Sequence, residues 1–509
     1  MNNNKMTYMK HILRSLLLIV CTLCATTAKA QSQFNEKPKL VVGIVVDQMR
    51  WDYLDRYYDR FCEGGFRRMI DEGFSADNCL INYVPTVTAI GHTSAYTGTT
   101  PAFHGICGNN FYINGRSVVS CQDDSVRAVG SDANYGNRSP RNLLATTIGD
   151  QLRLHTDFRS RVVGVSYKDR AAIFPAGHSA NAAYWLDTKA LRFITSTYYM
   201  TELPQYVRQV NDALKKNKEV QKAGDRIGYT PLCGTVITDM AIAAIDGEQL
   251  GRGEATDMLC VSYSQTDVIG HEWGTRGDRT DEAYLKLDKD LARLFRALDA
   301  QVGQGQWVAF LTADHGAAHN WRYQRSHRLP GGPIYDLKKA LADHLRQSLG
   351  ITKNVIGDVM DYRVFLNHAE IDSDAQLQQV KQAIVGYVSQ LPEFVTAADY
   401  EQVRTSPLPQ RLAEQILRGY YRGRSGDVIL IPKPHYYSSW ATAPEGQTTH
   451  GEWNPYDAHI PCLFLGWRIP HGATSREVHI TDIAPTICQL LHIQQPSACI
   501  GEAITEITK

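Results

Sequence analysis

Carboxylate and histidine side chains recur in short polar segments of this 509-residue chain, and both residue types are zinc ligands. Asp267 and His271 lie four residues apart, and Asp314 and His315 are adjacent. Taken alone, each pair fits a helix N-cap and a hydrogen-bonded core histidine better than a metal site. The set as a whole predicts a metal site, and its candidate ligands are Asp47, Asp267, His271, Asp314, His315 and His450.

The segment YVPTVTAIGHTSAYTG, residues 83–98, contributes hydroxyl groups that could act as a nucleophile. Considered alone, its four threonines fit an ordinary strand-to-helix junction, because threonine favours strands and turns. A threonine hydroxyl is a weak nucleophile at neutral pH, but coordination to a metal ion lowers its pKa. A helix that begins near Thr88 would also point the positive end of its dipole at an anion such as phosphate.

Lys168 and Arg170 form a second chemical signal in the segment SYKDR. Alone they fit the solvated end of a strand. Beside a metal site they fit a phosphate monoester, because an ammonium and a planar guanidinium donate charge-assisted hydrogen bonds to its charged oxygens. A phosphate diester carries less charge and one more substituted oxygen. The pair therefore favours monoesters over diesters.

These residues follow short apolar runs, which are typical of strands buried on both faces. The predicted strands span residues 40–46, 161–166, 258–263, 307–311 and 461–465. Amphipathic helical patterns lie between them, as in residues 281–302. The alternation predicts an α/β fold with a doubly wound, mostly parallel sheet. Ligands bind such a sheet at the carboxyl ends of its strands, where Asp47, Lys168 and Asp314 stand.

Residues 340–437 carry a different pattern. Two apolar runs, at 362–366 and 428–431, flank an amphipathic helix pattern at 373–391. We predict a small α+β insertion over 340–437, which divides the catalytic core into a first segment, 31–339, and a second segment, 438–509.

The first thirty residues have the features of a secretory signal peptide: Lys5, Lys10 and Arg14, then an apolar run at 16–25, then Ala28-Lys29-Ala30. We therefore expect an exported protein, periplasmic or secreted, with no transmembrane segment in the mature chain. An N-terminal membrane anchor is the alternative. Lys+Arg and Asp+Glu both number 53, so no nucleic-acid partner is expected. The nine cysteines after residue 30 are interpreted as disulfides or buried thiols.

Seven motifs in chain order resemble the alkaline phosphatase superfamily: VVDQ, PTVTAIGHTSAYTG, HGICGNN, YKDR, DVIGH, ADHG and THG. The set is similar to the branch related to nucleotide pyrophosphatases and phosphodiesterases. It is closer still to the phosphate-irrepressible alkaline phosphatases that Gram-negative bacteria export. The resemblance covers residues 38–490.

The resemblance implies two zinc ions and a phosphothreonine intermediate. One zinc would be held by Asp267, His271 and His450, and the other by Asp47, Asp314 and His315 together with the oxygen of the nucleophile. That nucleophile matches Thr88, the second threonine of PTVT. The residues implied to contact phosphate are Asn109, Lys168 and Arg170. Asn110, next to Asn109, is an alternative for the asparagine.

The function implied is the hydrolysis of small phosphate monoesters. A phosphodiesterase or nucleotide pyrophosphatase on the same scaffold is the alternative, since it would share the ligands and the threonine. A sulfatase is disfavoured, because neither C-x-P-S-R nor S-x-P-S-R occurs in the chain. A metal-binding surface protein without catalysis is the alternative from another class.

Overall fold

Five apolar strands form the parallel centre of the sheet in this computed structural model, which describes residues 36–132, 134–438 and 447–508. In sheet order they are Trp307–Thr312, Leu40–Val46, Asp257–Tyr263, Val162–Ser166 and Ala182–Asp187. Every residue in these strands is buried. Burial on both faces explains why the sequence shows continuous apolar runs in place of alternation. Four of the five strands match predicted ones.

Further strands extend the sheet to ten. They are Gly472–Thr474, Phe74–Ala76 and Cys462–Gly466 on one side, and Arg192–Ser196 and Ala128–Val129 on the other. Cys462–Gly466 runs antiparallel to both of its neighbours, although the run at 461–465 is predicted together with the parallel strands. A continuous apolar run indicates a strand that is buried on both faces, but it carries no information on the direction of that strand. The predicted strand is therefore present, but it runs antiparallel to its neighbours instead of parallel. The α/β class with a large, mixed sheet is confirmed.

The central strands pair in register, which brings their carboxyl ends to one edge. Leu40 lies opposite Asp257 and Trp307, and Val45 lies opposite Ser262 on one side. Side chains that follow neighbouring strands therefore come close together, although they are far apart along the chain.

Helices cover the sheet. They are Asp52–Tyr57, Phe66–Glu72, Thr88–Thr97, Pro101–His104, Ile148–His155, Asp169–Ala176, Gln205–Lys216, Lys218–Ala223, Leu232–Gly247, Gln265–Trp273, Asp278–Leu298, Trp321–Ser326, Leu337–Leu349, Asp374–Val388, Gln410–Gly419, Pro455–Ala458, Ile483–Leu490 and Thr505–Thr508. The helix predicted over 281–302 begins earlier, at Asp278, because acidic residues favour the positively polarised first turn. It ends at Leu298 and continues as a π-helical turn, Asp299–Gly303.

A separate antiparallel sheet lies within the predicted insertion. Its strand order is Ile356–Met360, Arg363–Leu366, Val428–Pro432 and Phe394–Asp399. A hydrophobic cluster of its own joins this sheet to Asp374–Val388, through residues such as Val364, Val380 and Val428. The boundaries at 340 and 437 stay a prediction.

Short pairings complete the strands: Cys79–Leu80 with His459–Ile460 and Val478–His479, Asn110–Ile113 with Arg116–Val119, and Gly332–Ile334 with Tyr436–Ser438. The nine cysteines of the described ranges are free thiols. The predicted signal peptide, residues 1–30, lies outside those ranges. No single helix within them is long and apolar enough to cross a membrane; one bent pair, Lys218–Tyr229 with Leu232–Gly247, has the length and composition, with a bend of 102°.

Candidate active site

Four adjacent strands deliver the chemistry-bearing side chains to one edge of the sheet. Asp47 directly follows Leu40–Val46, and Asp314 stands two residues beyond the neighbouring strand. On the other side of Leu40–Val46 lies the strand Asp257–Tyr263, and Asp267 is in the first turn of the helix Gln265–Trp273 that follows it. Lys168 stands two residues beyond the strand Val162–Ser166, directly before the helix Asp169–Ala176. The parallel register thus assembles residues that are up to 267 positions apart.

The first ligand group consists of Asp47, Asp314 and His315, whose donor atoms all lie within 4.8 Å of one another. Nε2 of His315 is 3.5 Å from Oδ1 of Asp47 and 3.6 Å from Oδ2 of Asp314. All three side chains are fully buried. Among the residues that the structure describes, Oδ1 of Asp47 and Nε2 of His315 have no hydrogen-bond partner, which is costly for buried polar atoms. These residues therefore fit a cation, which would satisfy both atoms at once.

The second group surrounds Asp267. Its Oδ1 lies 3.1 Å from Nε2 of His271 and 3.5 Å from Nε2 of His450. The rings of His315 and His450 stack at 3.5 Å between centroids, and donor atoms of Asp267, His315 and His450 also lie within 4.8 Å of one another. His315 consequently lies between the two groups, which the residue order alone does not reveal. The division of ligands into two sets of three stays a prediction.

Backbone carbonyls orient all three imidazoles. In each ring Nδ1 donates to a carbonyl oxygen, so Nε2 is the atom turned towards the carboxylates. A carbonyl can only accept, and the neutral ring therefore keeps its lone pair on Nε2, as in metal-ligating histidines. The acceptors are Thr448 for His271, Gly316 for His315 and Thr86 for His450, at 2.8, 2.9 and 2.7 Å.

Burial and neighbouring charges set the protonation of the site. Burial raises the pKa of Asp47, and the nearby Asp314 carboxylate raises it further. Burial has the same effect on Asp267, but His271 and Lys168 outweigh it and hold its pKa well below the ordinary value. Burial lowers the pKa of His450, so its ring is neutral at neutral pH. Asp267 raises the pKa of His271 in spite of the burial of that ring, and a bound cation would replace the proton that His271 holds. Carboxylates and imidazoles together form a donor set suited to a divalent cation.

Thr88 differs from the other threonines of its segment. It is the first residue of the helix Thr88–Thr97, and its Oγ1 lies 3.4 Å from Nζ of Lys168. Thr93 and Thr97 instead donate to carbonyls one helical turn earlier. Thr86 donates to the carbonyl of Glu452. Those three hydroxyls have structural roles, whereas the hydroxyl of Thr88 contacts Lys168, which in turn contacts both ligand groups.

The sequence of residues 41–457 matches the family described as type I phosphodiesterase / nucleotide pyrophosphatase. The chain belongs to this family. A relative, the alkaline phosphatase PafA of Elizabethkingia meningoseptica, is 41% identical over 520 residues, which cover 92% of this chain and 94% of the relative. A Myroides odoratus protein named calcium-transporting ATPase is 41% identical over 545 residues, covering 96% and 98%.

A crystal structure of wild-type PafA matches the fold with a TM-score of 0.89 at 40% identity, covering 93% of this chain and 99% of that chain. A structure of a PafA variant, substituted at a threonine, an asparagine, a lysine and an arginine, matches with a TM-score of 0.88 at 39% identity. It covers the same shares of the two chains. The superfamily resemblance inferred from the motifs is confirmed.

Asn109 contacts the N-terminus of the helix Thr88–Thr97. Its Oδ1 accepts from the backbone N–H of Ala89 at 3.0 Å, which satisfies one of the free donors of the helix N-terminus. Asn110 is instead exposed and begins the strand Asn110–Ile113. Of the two asparagines, the structure therefore brings Asn109 next to Thr88.

Lys168 and Arg170 have different environments. Nζ of Lys168 donates to Asp47 at 2.8 Å and to Asp267 at 2.6 Å, so it contacts one carboxylate from each ligand group. Arg170 is partly exposed and lies 3.5 Å from the carboxylate of Asp169. Asp169 also holds Arg138 at 2.8 Å. The sequence analysis did not single out Asp169 as a partner of Arg170. Its position between Lys168 and Arg170 in the sequence could have indicated that role.

Gln48 was also missed. Its side-chain amide donates to Asp267 at 2.6 Å, and its backbone N–H donates to Asp314 at 3.1 Å. Gln48 directly follows Asp47 and is the last residue of the VVDQ motif, and that place was the signal in the sequence. The contacts depend on a left-handed backbone at Gln48, which nothing in its residue type predicts.

Proposed function

We propose that this chain is an exported alkaline phosphatase that hydrolyses phosphate monoesters, with two zinc ions and a phosphothreonine at Thr88. The observation that carries the proposal is the contact of Lys168 with Thr88 and with one carboxylate of each ligand group. The ammonium of Lys168 thereby lies beside the proposed nucleophile Thr88 and beside both metal-ligand groups. The name of PafA, which is 41% identical to this chain, supports the same activity.

Thr88 attacks phosphorus through Oγ1, which gives up its proton to solvent. The new bond to phosphorus replaces the bond to the leaving oxygen, which takes up a proton from solvent. Zinc at the two groups, when bound, supplies Lewis acidity that lowers the pKa of the hydroxyl and stabilises the leaving oxygen. The N-terminus of the helix Thr88–Thr97 directs backbone N–H groups and a positive dipole end at the phosphoryl group. Water then cleaves the phosphothreonine, which releases phosphate and restores the hydroxyl.

Asn109, Lys168 and Arg170 bind the non-bridging oxygens. Oδ1 of Asn109 accepts from the backbone N–H of Ala89, and Nδ2 of the same amide would donate to a phosphate oxygen. In the PafA variant the substituted threonine and asparagine are 21 residues apart, and the lysine and arginine 2 residues apart. The same spacings separate Thr88 from Asn109 and Lys168 from Arg170, which supports this assignment over one that uses Asn110.

The second candidate is a phosphodiesterase, which the description of the matched family favours. The two cations at Lys168 and Arg170 distinguish the candidates, since a monoester dianion gains more from them than a diester monoanion. The test compares kcat/KM for p-nitrophenyl phosphate and bis(p-nitrophenyl) phosphate. We expect the monoester to have the higher value. A higher value for the diester would overturn the monoesterase assignment.

Export and cleavage after Ala30 belong to the same proposal. Their support is the order of cations, apolar run and small residues in the first thirty positions. Expression of the full chain in a Gram-negative host should yield periplasmic or secreted protein whose intact mass corresponds to a start at residue 31. Recovery of only the full-length chain from the cytoplasm would contradict export.

A further inference from the structure

Gln48 has an unusual backbone for its residue type and environment. Its φ angle is 65°, and only 3% of its surface is exposed. A residue with a Cβ atom is disfavoured in the left-handed region, because the Cβ atom crowds the backbone there. Glycine would avoid that strain, so the conformation points to something that the glutamine side chain contributes.

The contacts of Gln48 reach both ligand groups. Nε2 donates to Oδ1 of Asp267, the same oxygen that faces the Nε2 atoms of His271 and His450. The backbone N–H donates to Oδ1 of Asp314, which belongs to the other group. The residue before it, Asp47, is itself a member of that group.

Gly270 provides the space for this side chain. A methyl group at position 270 would overlap with Oε1 of Gln48. Gly270 lies in the helix Gln265–Trp273, directly before His271. The absence of a side chain there therefore lets the amide of Gln48 approach Asp267 closely.

We propose that Gln48 is a positioning residue that fixes the two metal-ligand groups relative to each other. Its amide holds the Asp267 carboxylate, while its left-handed backbone turns the N–H towards Asp314. The proposal rests on the ligand sets of the proposed function, but it concerns metal binding and not the choice of ester. Groups that orient metal ligands typically affect metal affinity by about 10- to 100-fold.

Three variants separate the side chain from the backbone. Gln48→Gly keeps the left-handed φ and the N–H to Asp314, and removes only the amide. Gly270→Ala displaces the amide while Gln48 is retained. The double variant shows whether Gly270 acts through Gln48, because residues acting through one contact are not additive. Gln151→Ala is the matched control, since Gln151 is a buried glutamine whose side chain donates to Thr146.

The experiment measures zinc affinity of the full mature protein by competition with a chromogenic chelator. We expect Gln48→Gly and Gly270→Ala each to weaken affinity by about 10- to 100-fold, and the double variant to equal Gln48→Gly. Gln151→Ala should match the parent. Thermal unfolding of the metal-free proteins is the control for folding. If Gln48→Gly unfolds at a temperature no lower than the parent, its loss of zinc affinity does not come from a folding defect.

Parent-like zinc affinity in Gln48→Gly would overturn the proposal, as would an equal loss in Gln151→Ala. A further loss when Gly270→Ala is added to Gln48→Gly would also overturn it, because Gly270 would then act without the amide. These outcomes leave the ester preference untouched. The proposed function fails on the kinetics of monoester and diester, whereas this inference fails on zinc affinity.

Discussion

Nζ of Lys168 lies 3.4 Å from Oγ1 of Thr88, and the same ammonium contacts Asp47 and Asp267. Burial lowers the pKa of this lysine, but Asp267 and Asp47 outweigh burial and raise the pKa above its ordinary value. Lys168 is therefore charged. A single cation thus links the candidate nucleophile with both ligand groups.

The double variant Lys168→Ala with Arg170→Ala should separate monoester from diester hydrolysis. A dianionic phosphoryl group loses two charge-assisted donors, and loss of one such donor costs about 10²- to 10³-fold in kcat. We expect at least that loss in kcat/KM for p-nitrophenyl phosphate and a much smaller loss for its bis ester. Equal losses for both esters would indicate that the pair serves the fold.

Removal of metal should abolish hydrolysis. Dialysis against EDTA is expected to reduce activity to background, and added zinc should restore it. Magnesium should not, because it prefers oxygen ligands and the candidate groups include imidazoles. Elemental analysis of the active protein should give two zinc ions per chain. Full activity in a sample free of metal would contradict the mechanism.

Thr88→Ala should lower kcat for monoesters by about 10³-fold or more, because no other hydroxyl of the segment can replace its oxygen. Thr97→Ala is the matched control. Thr97 lies buried in the same helix, and its hydroxyl only donates to the carbonyl of Thr93. We expect the control to stay within a few-fold of the parent, as measured by steady-state kinetics. Comparable losses in both variants would indicate damage to the helix.

His104 should make stability depend on pH. Burial, together with the nearby Arg424, lowers its pKa to about 3, against roughly 6.5 in the unfolded chain. The folded ring is neutral, and it accepts from the N–H of Ile106 and contacts Ser94. Its contribution is therefore fully present above about pH 6.5 and is lost as the pH falls towards 3, by up to about 1.4 kcal/mol per pH unit.

The measurement is the free energy of unfolding in urea between pH 7 and pH 5, for the parent and for His104→Gln. The variant cannot gain a proton at this position, so its stability should fall less steeply with decreasing pH. Comparison of the two slopes cancels the contributions of all other titrating groups. Parallel slopes would show that His104 does not titrate on unfolding in this range.

Strand ends were the most predictable part of the site. The run before Asp47 and the run before Asp314 mark two buried parallel strands, and parallel strands bring their carboxyl ends to one edge. The helix predicted to begin near Thr88 begins at Thr88 in the structure. The local sequence was sufficient to predict these strand ends and this helix start, because the residues that specify each of them lie within a few positions of it.

Other relationships depend on contacts between distant segments. His315 stacks on His450, and His271 is oriented by the carbonyl of Thr448. The left-handed backbone at Gln48 and the antiparallel direction of Cys462–Gly466 are likewise set by tertiary packing. Neither periodicity nor residue type encodes these features, so only the folded structure reveals them.

The proposed mechanism requires that Oγ1 of Thr88 carries the phosphoryl group during turnover. The most direct measurement is mass spectrometry of protein that is quenched with acid during turnover of a phosphate monoester. We expect one phosphoryl group on Thr88 in the parent and none in Thr88→Ala. A phosphoryl group on another residue, or hydrolysis at the parental rate by Thr88→Ala, would contradict it.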